Sequence, residues 1–400
     1  MRGLIDDAFA HGVHAVLDRR LAPASAAPVA LALSGGGDSV ALALIAADWA
    51  RARGRALLIL TVDHRLNPAS GGWTRACADL AAQLRADFLA LAWEGQKPAA
   101  GLPAAARAAR HGLLAAAARA AGARVILMAH TASDIDEAAA MRAAGSTTPS
   151  PREWAPSPAW PEGRGLFLLR PMLHLSRAAI RQWLAARGET WIEDPANADL
   201  RFSRARARAA APAPAEAPSE PEQSPLEIET DLAGALRVSR ASLTPRLVAL
   251  AGLCAAGTSR PPRADSLARI AALLAGEEAW IATLAGARLE AGARDVLFLR
   301  EPGELSRRPP PPLVVQAGKA GVWDGRFEIM GPGRIVALAG HASRLPTMQR
   351  EALQALPPKA RPGLPFDLDT LSSPALTGQA VSLVEERLLA AYGVIDREPA

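Results

Sequence analysis

Cysteine is almost missing from the 400 residues, with Cys77 and Cys254 as the only two. Two cysteines cannot build a disulfide scaffold or a cysteine-only metal cluster. Lysine is nearly missing as well: Lys97, Lys319 and Lys359 stand beside an abundance of arginine and alanine. Long apolar runs are absent too. The longest, around Val40–Ala47 and Leu247–Ala256, fall well short of the ~20 residues that span a bilayer. The first residues include Asp6 and Asp7 and no apolar core, which is not the pattern of a secretory signal. A cytoplasmic protein with no membrane association is the expectation.

Hydrophobic residues make up 50% of the chain and charged ones 21%, a globular composition. The length exceeds what one ordinary core organises, so two or three domains are expected. Lys and Arg number 45 against 40 Asp and Glu, a net charge of +5. The surplus is local. Between Gly101 and Arg208 stand fifteen arginines and nine carboxylates, so this stretch carries the whole excess. Such a concentration suits a polyanionic partner, or else a solvated face.

The first half alternates short apolar runs with alanine-rich helical stretches. Val29–Leu33, Ala56–Val62, Asp87–Ala92 and Arg124–Ala129 read as buried strands. Asp38–Arg53, Ser70–Arg85 and Pro103–Ala121 read as helices, with Ser70 as an N-cap and Pro103 at a first helical position. This alternation predicts an α/β fold with a parallel, doubly wound sheet covered on both faces. Ligands bind such sheets at the carboxyl ends of the strands, where the loops after Leu33, Val62 and Ala129 would meet. Residues 147–165, rich in Pro, Ser and Gly, read as a long loop, followed by a strand at Leu166–Leu169 and a helix at Ser176–Arg187. The first domain therefore covers residues 1–208. Ala209–Pro225 is a low-complexity Ala/Pro linker. A helical module (226–290) is expected next, with helices at Thr244–Gly257, capped by Thr244 and Pro245, and at Ser266–Leu284. A small mixed α+β C-terminal domain (291–400) would follow, with strands at Asp295–Leu299, Leu313–Val315 and Arg326–Met330.

Ser34, Gly35, Gly36, Gly37, Asp38 and Ser39 form the sharpest feature. They follow a strand and open a helix, so backbone N–H groups at the helix start face whatever lies in the loop. Three glycines admit a close anion and two hydroxyls can add hydrogen bonds. The loop has neither the Lys of a Walker A motif nor the spacing of a dinucleotide fingerprint. A carboxylate beside phosphate is repulsive unless a metal bridges them, which makes Asp38 a candidate Mg²⁺ ligand. Asp63 and His64, after the second strand, face the same crevice, as does His130 after the fourth. Asp63 could equally cap its own turn. Arg107 and Arg110 share a helix face and could hold phosphate or simply be exposed. Asp134 and Glu137, one helical turn apart, could bind a cation, either Mg²⁺ or an ammonium, or simply form an acidic first turn favoured by the helix dipole. Arg204, Arg206 and Arg208 suit phosphate or nucleic acid.

Taken together, these segments resemble a family. SGGGDS after the first strand resembles the loop of the N-type ATP pyrophosphatases, which cleave ATP to AMP and pyrophosphate. TVDHRL (Thr61–Leu66), AARAARHGLL (Ala105–Leu114) and LMAHTASDIDEAAAMR (Leu127–Arg142) are similar to segments of its lysidine synthase branch. LLRPMLHLSRAAIRQWL (Leu168–Leu184) and WIEDPANADLRFSRARAR (Trp191–Arg208) are similar as well, the last being the most family-specific. The resemblance runs over Val29–Arg208, with a weaker echo in Thr283–Glu301 and Val322–Ile329. There are departures: His111 replaces a usual Tyr, Thr131 a second His and Ser133 an Asp. Ile135 and Asp136 replace a Gln-Ala pair, and Ala143-Ala144-Gly145-Ser146 replaces an RGSG run.

The resemblance implies an ATP-dependent ligase for tRNA. The wobble cytidine of an isoleucine tRNA with a CAU anticodon is adenylated, and L-lysine then displaces AMP to give lysidine. It implies ATP as substrate and Mg²⁺ as cofactor. Asp38, Asp134, Glu137 and Arg204 would be catalytic. Ser34 to Ser39, Asp63, His64, Arg110, His130 and Arg206 would hold ATP, and Asp38 and Asp134 the metal. The C-terminal modules would hold the tRNA, with Arg307, Arg308 and Arg344 as candidates, and a homodimer is compatible with the sequence. Two other readings are a tRNA thiolase of the same superfamily and a non-catalytic RNA-binding relative. Thiolation needs a reactive cysteine, usually paired, and no CxxC is present.

Overall fold

The computed structural model describes residues 2–145, 149–193, 226–276 and 278–399. The chain forms two compact units, Met1–Pro221 with Ile395–Ala400, and Glu222–Val394.

The first unit is a three-layer α/β structure. Its sheet contains β1 (Val29–Ala32), β2 (Leu57–Asp63), β3 (Asp87–Ala92), β4 (Val125–Leu127), β5 (Trp154–Pro156) and β6 (Phe167–Leu169), in the order β3-β2-β1-β4-β6-β5. All pairs are parallel except β5 with β6. The central strand β1 is buried on both faces, as its unbroken apolar run requires. The helices are α1 (Arg2–Arg20), α2 (Gly37–Arg53), α3 (Ser70–Leu84), α4 (Leu102–Ala120), α5 (Ala132–Ala143) and α6 (Arg177–Ala186). Connections run outward from β1 through β2 to β3, then return to β4 on its other side. The reversal creates a crevice at the carboxyl ends of β1 and β4. The doubly wound sheet expected from the strand and helix alternation is present.

Four local expectations need correction. Strand β3, read as buried, is the edge strand of the sheet and is largely exposed, Leu89 to 43%. Ser70 is the first helical residue of α3, not its cap; Ala69 holds the cap position and its N–H donates to Asn67 Oδ1 at 2.9 Å. Within the stretch read as a loop, Trp154–Pro156 forms an edge strand antiparallel to β6. Trp154 stacks on Phe167 with ring centroids 4.8 Å apart, a contact that a three-residue run cannot announce. The apolar run Ser266–Leu284 is not one helix. Helix α8 (Ala264–Leu274) ends before Gly276, and Trp280–Leu284 is a strand whose alternate residues are exposed.

The second unit begins with an antiparallel sheet of β7 (Ile228–Thr230), β8 (Leu236–Ser239), β9 (Trp280–Leu284), β10 (Ala287–Ala291) and β11 (Asp295–Arg300), in the order β7-β8-β11-β10-β9. Helix α7 (Pro245–Ala256) packs on it, capped by Thr244, whose hydroxyl accepts the Leu247 N–H at 3.2 Å. Helix Val384–Tyr392 joins the same core. Two three-stranded sheets follow, Leu313–Val315 with Gly333–Ala337 and Pro365–Asp367, and Gly321–Trp323 with Phe327–Ile329 and Ala380–Ser382. Asp324 and Gly325 turn the chain between two of these strands with positive φ. Arg326, buried beside them, donates to Asp324 Oδ2 at 2.9 Å.

The end of the chain is part of the first unit. Trp154 Nε1 donates to Ile395 O at 2.8 Å, and Arg20 Nη1 to Asp396 O at 2.7 Å. Glu398 receives both terminal nitrogens of Arg55 at 2.8 and 2.9 Å, and the Ala22 N–H at 2.8 Å. The two side chains are 3% and 0% exposed, so neither charge has water to turn to. Glu398→Ala would strand a buried guanidinium, which costs about 3–5 kcal/mol. Urea denaturation followed by far-UV circular dichroism should show a lower midpoint; an unchanged midpoint would contradict the pairing.

Candidate active site

Strand β1 ends at Ala32 and α2 starts at Gly37, so the glycine loop makes the strand-to-helix turn. Gly35 sits at φ +83°, where an L side chain is strained. Ser39 pins the loop: its hydroxyl donates to Gly36 O at 2.8 Å, accepts the Ser34 N–H at 3.2 Å, and lies 3.1 Å from the Ser34 hydroxyl. Gly36, at the N-cap, has no side chain to cap the helix. The start of α2 thus has the form of an anion site.

The glycines also serve the protein's own packing. Ile192 N–H donates to Gly35 O at 2.9 Å. A Cβ on Gly35 would meet Ile192 Cδ1 at 2.4 Å, and one on Gly37 would touch the Trp191 indole at 3.4 Å. Trp191 Nε1 in turn donates to Glu193 Oε1 at 2.7 Å, and Arg181 pairs with the same carboxylate at 3.1 Å. The chain from Trp191 to Glu193 therefore lies across the loop.

Three carboxylates converge beside it. Asp38 is in the first turn of α2, and Asp134 and Glu137 are on α5. All three face the guanidinium of Arg177, the first residue of α6. Arg177 Nε lies 3.0 Å from Asp38 Oδ2, Nη1 lies 3.2 Å from Glu137 Oε1, and Nη2 lies 3.6 Å from Asp134 Oδ2. Asp134 also closes a capping box, with Oδ2 accepting from Thr131 N–H at 2.8 Å and the Thr131 hydroxyl at 3.0 Å. Asp134 thus completes the helix start and also lies beside the guanidinium of Arg177.

Burial pushes the Asp38 carboxyl above its ordinary value, because one guanidinium shared three ways only partly offsets the lost water. Burial works on Asp134 in the same sense, but His130, the Thr131 hydrogen bonds and Arg177 outweigh it and hold that carboxyl low. Burial alone would lower Arg177, and Asp134, Asp38 and Glu137 together hold it above its usual range. Among the described residues, no group of three or more His, Cys, Asp or Glu side chains is disposed to hold a metal by itself.

His130 follows β4, and buried Arg170 donates from Nε to its Nδ1 at 3.1 Å. This contact fixes the His130 ring in the crevice. Burial, with Arg107 next, lowers Arg170 to about 10. On the other side of the crevice, Asp63 accepts the Arg65 N–H at 2.7 Å and so caps its turn. His64 packs edge-on against Trp93 at 6.1 Å, and burial followed by Arg110 lowers its pKa. Arg107 and Arg110 are not an exposed helix face. They are half-buried and act on His111, which burial and these two arginines lower to about 3.

The fold thus gathers Ser34–Ser39, Asp38, Asp134 and Glu137, with His130 coupled to Asp134 and Arg110 coupled to His64. Arg204 and Arg206, with Asp194 and Arg208, lie outside the described residues. Arg177, Arg170 and the Trp191–Ile192 cover were not singled out from sequence. One signal for Arg177 was available: a cation at a helix N-terminus opposes the helix dipole and needs a compensating partner. Among the described residues, no helix is long and apolar enough to cross a membrane.

A glycine loop at the switch point of a mostly parallel sheet defines a PP-loop ATP-binding domain, and the model of that domain matches residues 10–212. Over nearly its whole length the chain is also similar to curated proteins of one kind. It is 50% identical over 403 residues to the tRNA(Ile)-lysidine synthase of Caulobacter vibrioides, covering 96% of this chain and 98% of that one. The tRNA(Ile)-lysidine synthase of Rhizobium meliloti is 34% identical over 363 residues, covering 82% of this chain and 80% of its own. That of Hyphomonas neptunium is 32% identical over 347 residues, with coverages of 80% and 91%. The chain belongs to the tRNA(Ile)-lysidine synthase family.

His111 provides a test of the site's burial. Its folded pKa of about 3 lies below the ordinary 6.5. Between those values the unfolded chain binds a proton that the folded one does not, so stability falls as pH drops below 6.5. At pH 5 the loss is about 2 kcal/mol. His111→Tyr should remove that part of the decline in denaturation at pH 7 and pH 5. Equal losses in both proteins would mean that His111 is not held neutral.

Proposed function

We propose that this chain joins L-lysine to C2 of the wobble cytidine in the CAU anticodon of isoleucine tRNA, using ATP. The cytidine O2 attacks the α-phosphorus, pyrophosphate leaves, and an adenylated base remains. An amine of lysine then attacks C2 and gives up a proton. The C2–O bond breaks and AMP departs with that oxygen. The observation that supports this most is the convergence of Asp38, Asp134 and Glu137 on one cation at the mouth of the glycine loop.

Each step has a group to serve it. The N–H groups at the start of α2 and the hydroxyls of Ser34 and Ser39 receive the phosphates of ATP. Mg²⁺ is commonly held by one or two carboxylates and substrate phosphates, and Asp38, joined by Asp134, fits that donor set. When bound there it would neutralise charge on the phosphates. Asp134 and Glu137 would receive the ammonium of lysine, and a carboxylate among them takes the proton that makes the amine a nucleophile. His130, held at Nδ1 by Arg170, would help to hold ATP. Asp63, His64 and Arg110 would border the nucleoside, and Arg204 and Arg206 would meet phosphate. The C-terminal unit would hold the tRNA body. We place the reaction in the cytoplasm, away from membranes, with a homodimer compatible with it.

A thiolase reading fares worse. Cys77 and Cys254 are both buried, and burial raises both thiols, Cys254 to about 11. A sulfur carrier needs the opposite shift. No observation favours a non-catalytic relative, and the loop is whole.

The test is incubation with ATP, labelled lysine and isoleucine tRNA bearing CAU. Lysine should enter the tRNA with release of AMP and pyrophosphate. Asp38→Ala should slow both half-reactions by at least about 100-fold. Pyrophosphate release without lysine incorporation by the unaltered protein would overturn the reading.

A further inference from the structure

Arg177 spreads its guanidinium over three carboxylates, where a structural arginine usually forks onto one. Its position at the first turn of α6 opposes the helix dipole, so these partners are what make it stable there. Three carboxylates share this one guanidinium, with His130 acting on Asp134 and Arg181 on Asp38 as further positive groups.

We infer that Arg177 is a built-in stand-in for the cation of this site, competing with the arriving cation for Asp38, Asp134 and Glu137 and thereby setting how tightly that cation binds. This rests on reading the three carboxylates as the cation-binding part of the ATP and lysine site.

Two features let the guanidinium yield its place without disturbing the carboxylates. Thr131 holds Asp134 through two hydrogen bonds that do not involve Arg177. The Glu137 side chain is only 5% exposed, which fixes it by packing, whereas Arg177 and Asp38 are each 20% exposed and reach water. Asp134 and Glu137 thus keep their places when Arg177 turns away. The 3.6 Å contact to Asp134 is the longest of the three. Arg177 is thus a positioning residue: in the empty site it keeps like charges together, and in the loaded site it gives way.

The experiment titrates the full-length protein with Mn²⁺, without ATP or tRNA, following free Mn²⁺ by electron paramagnetic resonance. L-lysine is titrated separately by calorimetry. Arg177→Gln should tighten binding of the displaced cation by about tenfold or more. Arg177→Lys, which keeps a charge in place, should stay within about threefold of the unaltered protein. A gain for Mn²⁺ identifies the metal as the competitor, and a gain for lysine identifies its ammonium. Asp38→Asn added to Arg177→Gln should cancel a gain for Mn²⁺. If Arg177→Gln does not fold, Arg177→Met replaces it as the neutral variant. A folded neutral variant whose affinity for both cations is unchanged or weaker overturns the proposal, as does a Mn²⁺ gain that survives Asp38→Asn. Failure of the lysine-incorporation assay by the unaltered protein would instead overturn the functional reading, and the two outcomes are separable.

Discussion

One guanidinium shared among three carboxylates holds the working edge of the first unit together. The reason lies in the sheet. Strands β1, β4 and β6 are neighbours and parallel, so their carboxyl ends lie along one edge. Asp38 follows β1, Asp134 and Glu137 follow β4, and Arg177 follows β6, each in the first turns of the next helix. Three helix starts come together because three strands end together. Charges of opposite sign on those starts then join the three helices at the crevice. The glycine loop is on the same edge, which puts the open helix start of α2 beside the three carboxylates. Adenylyl transfer from ATP to a nucleobase, followed by attack of an amine, calls for that pairing.

Much of this was legible in sequence. The apolar runs of the first half marked β1, β2 and β4, because strands buried on both faces carry no alternation to confuse them; β3 was found by its apolar run too, although as an edge strand it is largely exposed. SGGGDS stood out because glycine, hydroxyl and carboxylate at a strand-to-helix turn have few other uses. Asp134 and Glu137 were visible as a pair one turn apart. Less visible was what meets them. Arg177 is 40 residues beyond Glu137, and nothing local says that they touch. The cover of Trp191 and Ile192 on the loop is likewise a long-range contact. Glycines that seemed reserved for phosphate are also required by Ile192. Short strands such as Trp154–Pro156, with three residues, lie below the length at which periodicity carries a signal.

The arginine surplus between Gly101 and Arg208 also takes on a different meaning. Part of it is spent inside the protein. Arg170 is buried against His130, Arg177 is shared by three carboxylates, and Arg107 and Arg110 lie against His111. These charges tune the crevice and are not simply offered to solvent. A grip on tRNA must therefore come from placed contacts and shape more than from net charge. The C-terminal unit, close to neutral, fits that view.

If the three carboxylates form a cation site in which Arg177 is a placeholder, a crystal structure with a non-hydrolysable ATP analogue and Mg²⁺ will reveal the exchange. The expected result is a metal on Asp38 and the phosphates, with Arg177 withdrawn from Asp38 beyond hydrogen-bonding distance. Arg177 still held by all three carboxylates, with the metal bound by phosphates away from Asp38, would contradict it.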